Sequence, residues 1–238
     1  MSGQTLTRNA LSGGEALAFA PLIWEFLPDF VRAMASTPFW LDTTTALRLL
    51  GDGAGVASAD AVVVPLAPET VDGLPRLSRG TAPEDLVHTT NTVSMVAMVA
   101  RLATIGDLGI VAEIPGLDVL GAMFDRASTD ELEDATSDLV RAALEAGADS
   151  VCVRTAPSGS LDRELDNVTA LADFYGVTAM AVNDRSGAAG NSRCAVGVLG
   201  SDGTWPTSDR GIILTGGDVS RWWSPDDLRG VLSKRKTR

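Results

Sequence analysis

The segment Ala59 to Leu66, ADAVVVPL, limits the fold more than any other stretch of this chain. It is short, β-branched and apolar without alternation. A strand with one wet face alternates apolar and polar residues; a strand covered on both faces does not. Cover on both faces implies a parallel sheet with helices packed on it. The C-terminal segment from Arg210 to Leu232, RGIILTGGDVSRWWSPDDLRGVL, follows the same logic. An apolar run, Ile212 to Leu214, stops in Thr215-Gly216-Gly217-Asp218. Ser224 then reads as an N-cap, with Pro225 at the first helical position and Asp226 and Asp227 in the first turn. Strand ends of this kind are where βα-repeat folds build their sites.

Between these segments strands and helices alternate. Ala18 to Ile23 is a first apolar run, followed by a helical pattern over Phe26 to Met34. Thr43 to Leu50 reads as a helix with Asp42 as its cap. A loop rich in proline and glycine runs from Pro65 to Gly80. Thr92 to Ile105 is helical, with Val93, Val96, Val99 and Leu102 near the helical period, and Leu108 to Ile114 is a strand stopped by Pro115-Gly116. Leu117 to Phe124 is a short helix. Thr129 to Ala146 is a long one, capped by Ser128 or Thr129 and ended by Gly147. Asp149 to Arg154 is a strand, Leu161 to Tyr175 a helix ended by Gly176, and Val177 to Val182 another strand. Ala195 to Leu199 is the last strand before the C-terminal segment. This gives about seven strands, one fewer than a full (β/α)8 barrel needs. The fold expected is α/β: a (β/α)8-type barrel, truncated or distorted in its C-terminal third, forming a single domain over residues 1–238. An open doubly wound sheet is the alternative. The G-x-G-x-x-G fingerprint that would favour it is absent after the first strand.

Composition narrows the partners. The net charge of −12 argues against nucleic acid and against anionic membrane surfaces. The lysines occur only in the tail SKRKTR, where they suit a helix C-terminus. No apolar run of about 18 residues suggests a membrane span, and the N-terminus lacks the apolar core of a secretory signal. Cys152 and Cys194 give no disulfide framework and fit a cytoplasmic protein. Trp222 and Trp223 beside the glycine turn, and Trp205 before Pro206, argue for a partner surface. The expected assembly is a homodimer covering the C-terminal region.

In order, four segments resemble the uroporphyrinogen decarboxylase superfamily: ADAVVVP; DLGIVAEIPGLDVLGAMF; ELEDATSDLVRAALEAGADSVCVRT; and GIILTGGDVSRWWSPDDLRGVL. The resemblance covers under half the chain. It implies a (β/α)8 barrel that acts as a decarboxylase, or as a cobalamin-linked or cobalamin-independent methyltransferase. The chain departs from the family pattern at several places. Phe19 to Phe26 has no arginine, and Val64 to Ala67 stand where the decarboxylase carries its acid, with Glu69 the nearest carboxylate. Met123 and Phe124 replace an expected tyrosine. His88, Cys152 and Cys194 lack the spacing of the methyltransferase zinc ligands, so neither metal nor cofactor is expected.

The candidate chemistry therefore lies at strand ends. Glu113, inside an apolar strand, is either a general acid or base or one half of an ion pair with Arg154. Arg154 and Thr155 end the next strand, where the arginine could clamp a carboxylate or phosphate. Asn183, Asp184 and Arg185 end the strand after it, before the glycine-rich turn SGAAGNS. The assignments are Glu113 and Asp184 as catalytic, with Arg154, Thr155, Asn183, Arg185, Gly216 and Gly217 as ligand-binding. Paired amides at Gly216 and Gly217 would suit a phosphate, but Asp218, Asp226 and Asp227 oppose one. Trp24 and Glu25 after the first strand, His88 and Cys194 are weaker candidates. Three functions follow: a decarboxylase or methyltransferase relative acting on a small carboxylated substrate, a catalytically degenerate barrel that binds a ligand or partner, and a phosphate-binding lyase or isomerase.

Overall fold

In the computed structural model, residues 22–24, 42–57, 59–67, 77, 80–106, 108–156, 159–183, 187–189, 195–199, 211–215 and 230 are described. The centre of the molecule is a parallel sheet of β2 (Ala61–Pro65), β3 (Gly109–Pro115), β4 (Ser150–Arg154) and β5 (Thr178–Val182). All of β2, β3 and β5 and the first four residues of β4 are buried, as continuous apolar runs require. β1 (Leu22–Trp24) pairs parallel to β2 on one side and to β8 (Gly211–Thr215) on the other. β8 pairs parallel to β7 (Ala195–Leu199). The order runs from β1 through β8 and closes on itself.

Among the described residues there are eight strands, one more than the apolar pattern indicates. The addition is β6 (Gly187–Ala189), inside the stretch read as a glycine-rich turn. It is antiparallel to both β5 and β7, whereas every other pairing is parallel. The change of direction falls at β6, in the C-terminal third of the chain. The first strand also differs from expectation: it includes Trp24, which pairs in register with Val62 and does not follow the strand. The helical pattern over Phe26 to Met34 lies outside the described residues.

The helices form for local reasons that the sequence carries. Asp42 Oδ1 accepts from the amides of Thr44 and Thr45 and opens α1 (Thr43–Ala57), which runs seven residues beyond the expected Leu50. A 3-10 helix (Pro83–His88) leads into α2 (Thr90–Ile105), capped by Thr89. The buried face of α2 is Thr92, Met95, Met98, Val99 and Leu102, so Val93, expected on that face, is 53% exposed. Methionines fill the irregular contact there, and Thr92 is buried with its hydroxyl bonded to that of Thr89. After α3 (Leu117–Met123), Ser128 and Glu131 form a reciprocal capping box at the start of α4 (Thr129–Glu145). Its buried residues, Leu132, Ala135, Thr136, Leu139, Val140, Ala143 and Leu144, follow the helical repeat without a break. The chain then reverses at Gly147, whose φ of 100° suits glycine alone. α5 (Leu161–Tyr175) is capped by Ser160.

Alternate strand residues separate into two apolar clusters. Val62, Val64, Ile110, Ala112, Ile114, Val151, Val153, Ala179 and Ala181 pack with the helices. Ala61, Val63, Val111, Cys152, Met180 and Val182 pack with one another on the opposite face. Each fully buried Val, Ile or Leu contributes about 1.5–3 kcal/mol relative to exposure. Asp149, at the start of β4, accepts from the amide of Ile110 through Oδ2 at 3.0 Å, and Ser150 Oγ donates to the carbonyl of Thr178 at 2.8 Å. Polar groups at this end of the sheet are thus tied across strands, away from the strand ends that carry the candidate site.

Candidate functional site

Glu113 lies in β3, in register with Pro65 of β2 and Cys152 of β4. Two-residue alternation puts it on the face of Val111 and Cys152, within the smaller apolar cluster. Arg154, two residues beyond Cys152, shares that face and ends β4. Its Nε donates to Glu113 Oε2 at 2.8 Å. The Arg154 side chain is 22% exposed and that of Glu113 10%, so the pair has one partly open end. Burial pushes the Glu113 carboxyl up to about 8. Burial, and then the charge of Glu113, push the Cys152 thiol well above its ordinary range. Cys152 is therefore a thiol in an apolar setting and a poor nucleophile.

Thr155 follows Arg154 and is buried; its amide donates to the carbonyl of Val182 and its hydroxyl to that of Ala156. Asn183 is buried one residue past Val182, the partner of Arg154 in β5. Glu113, Arg154, Thr155 and Asn183 thus gather at the C-terminal ends of three adjacent strands. Asp184, Arg185, Gly216 and Gly217, and with them Glu25 and Cys194, lie outside the described residues. His88 is exposed at the end of its 3-10 helix. Among the described residues no group of three or more His, Cys, Asp or Glu side chains could hold a metal ion, and no helix is long and apolar enough to cross a membrane.

Two carboxylates beside the site escaped the reading of the sequence. Asp118 Oδ2 accepts from the amide of Ala156 at 2.8 Å. Glu164 is buried and accepts from the amide of Leu117 with both oxygens at 3.0 Å. Burial raises the Glu164 carboxyl, the Leu117 hydrogen bond opposes this, and the charge of Asp118 adds to it. One signal was present: Glu164 stands in the stripe formed by Leu161, Leu165, Val168 and Ala172, where an acid must find a partner.

No protein-family model matches the sequence, and no curated protein matches it. Among solved structures, a methyltransferase from Methanosarcina mazei superposes with a TM-score of 0.69 over 100% of this chain and 99% of its own, at 12% identity. The homocysteine methyltransferase MmuM of Escherichia coli, in its apo form, reaches a TM-score of 0.48 at 14% identity, covering 93% of this chain and 98% of its own. The first likeness establishes a shared fold over the whole chain. At that identity it speaks for the fold alone.

Proposed function

We propose that this chain is a (β/α)8-type barrel, distorted in its C-terminal third, that binds a small carboxylated ligand at the C-terminal ends of β3 and β4. We propose further that it is a divergent relative of the uroporphyrinogen decarboxylase superfamily, of the decarboxylase or methyltransferase kind. The order of the four resembling segments supports this, as does the full-length likeness of fold to a methyltransferase. The observation that carries the site is the 2.8 Å contact between Arg154 Nε and the buried Glu113 carboxyl. In this reading Arg154 pairs with the ligand carboxylate. Glu113, whose carboxyl burial raises above its ordinary range, delivers its proton to a developing negative charge. Asn183, Asp184 and Arg185 complete the polar rim after β5, with Asp184 as a second acid. Gly216 and Gly217 are assigned as further ligand-binding residues. The protein is read as a cytoplasmic homodimer whose contact covers the C-terminal tryptophans.

Thermal unfolding with a panel of small mono- and dicarboxylates tests the reading. A bound carboxylate raises the melting temperature in proportion to its saturation. Arg154→Ala should abolish the shift. A shift that persists in Arg154→Ala, or one produced equally by inorganic phosphate, would overturn the carboxylate site. The same ion pair supports a second reading, a catalytically silent barrel in which Glu113 and Arg154 only hold β3 to β4. Stability measurements on the paired variants, argued in the Discussion, separate the two.

A further inference from the structure

The turn after β3 is fastened to the end of β4, to the loop after it and to α5. The amide of Gly116 donates to the carbonyl of Arg154 at 2.7 Å. The amide of Ala156 donates to Asp118, and that of Leu117 to Glu164. Little slack remains. A Cβ on Gly116 would stand 2.9 Å from the Arg154 carbonyl oxygen and 3.2 Å from Glu164 Cδ. One on Gly159 would collide with Asp118 Oδ2 and Thr155 Oγ1. Any movement of the turn is thus passed to the peptide of Arg154.

An exposed serine or asparagine next to the turn would satisfy the Leu117 amide at less cost than a buried acid. The acceptor is instead a carboxylate on another helix, 47 residues along the chain, held in its apolar stripe. This choice joins the turn after β3 to α5, where a local cap would serve only the turn. Outside the fastening lies a cavity of about 320 Å³, bordered by Leu117, Asp118, Arg163 and Glu164. Shortening Glu164 would extend that cavity to the turn and admit water to the freed amide.

We propose that Glu164 and Asp118 are positioning residues that tie the turn after β3 to α5 and to the loop after β4, and thereby hold Arg154 against Glu113. The proposal rests on the reading of that pair as the ligand site, but its test needs no ligand. Proton exchange at the Arg154 Nε–H, followed by nitrogen-15 NMR, reports the contact directly. In Glu164→Ala this exchange should quicken about tenfold, while the amides of β5 keep the parent rates. Glu164→Gln retains an oxygen that accepts from Leu117 and should restore the parent rate. Asp118→Ala should act in the same direction as Glu164→Ala, with rescue in Asp118→Asn. If Glu164→Ala does not fold, the Asp118 variants decide by the same readout.

An unchanged Arg154 rate in the alanine variants would overturn the proposal. So would β5 amides that quicken in step, since the role would then be structural alone. Loss of carboxylate stabilisation in Arg154→Ala with an unchanged rate in the Glu164 and Asp118 alanine variants would reject the lock and leave the site standing. The reverse pattern would reject the site and keep the lock as a fastener of the pair.

Discussion

Arg154 donates through Nε to Oε2 of Glu113 across the β3–β4 pairing, and burial nevertheless raises that carboxyl to about 8. The two influences oppose each other. A guanidinium within hydrogen-bonding distance favours the carboxylate, whereas an apolar surround of Val111, Cys152 and Met180 favours the neutral acid. Burial prevails because the pair sits beside the smaller apolar cluster, with only the arginine end partly open to solvent. The outcome is an acid that arginine holds in place and whose carboxyl burial raises above its ordinary range.

Stability should therefore fall as pH rises through this group. The ordinary value is 4.5 and the folded value about 8. Between them the unfolded chain has released the proton and the folded chain retains it, so raising the pH favours unfolding. Stability from this group is full below 4.5, declines through the window and is lost above about 8. Glu164, also raised, adds to the decline. Asp42 and Glu131, lowered by their cap hydrogen bonds, act at more acid pH. Urea titrations at several pH values should show the decline, and Glu113→Gln should flatten most of it. An equal slope in the variant would place the raised group elsewhere.

Those contacts show what a sequence can disclose here. Where burial and caps agree, as in α4 and α5, the elements stand within about two residues of their expected bounds. β6 was hidden because Gly187, Ala188 and Ala189 carry no side-chain signal that separates a strand from a turn. Val93 was misplaced because Met95 and Met98 take the buried face of α2. The Glu113–Arg154 pair was legible because both stand on successive apolar strands, which a parallel sheet makes neighbours. Asp118 and Glu164 were not, because their partners are backbone amides set by loop geometry.

Asp149 separates stability from function. Its carboxylate accepts from the Ile110 amide at the end of the sheet opposite the candidate site. Asp149→Ala should leave that buried donor unsatisfied and cost about 1–3 kcal/mol, while carboxylate binding at Arg154 stays intact. Asp149→Asn, which keeps an acceptor oxygen, should recover part of the loss. A ligand defect equal to that of Arg154→Ala would mean that the two ends of the sheet are coupled.

The described residues offer no zinc ligand set, since Cys152 stands beside Glu113 in an apolar cluster and His88 is exposed on a 3-10 helix. Protein purified without added metal should contain well under one zinc per chain by elemental analysis, and chelator treatment should leave its melting temperature unchanged. A stoichiometric, chelator-sensitive zinc would show that ligands come from residues outside those described.

The decisive comparison is a double-mutant cycle of Glu113→Gln with Arg154→Met. A neutral Glu113 loses little on conversion to glutamine, because the amide oxygen still accepts from Arg154 Nε. The site reading therefore expects a loss below about 1 kcal/mol for Glu113→Gln, with carboxylate stabilisation through Arg154 kept and proton delivery lost. Arg154→Met removes the donor, and the remaining acid can stay protonated, so its cost should also be modest. A silent barrel expects otherwise. If the pair is ionised and structural, breaking either half strands a buried charge and costs roughly 3–5 kcal/mol, and the double variant recovers much of it. The raised carboxyl favours the first pattern, since a group that holds its proton has no charge to strand. Large single losses that cancel in the double variant would end the assignment of Glu113 as a catalytic acid.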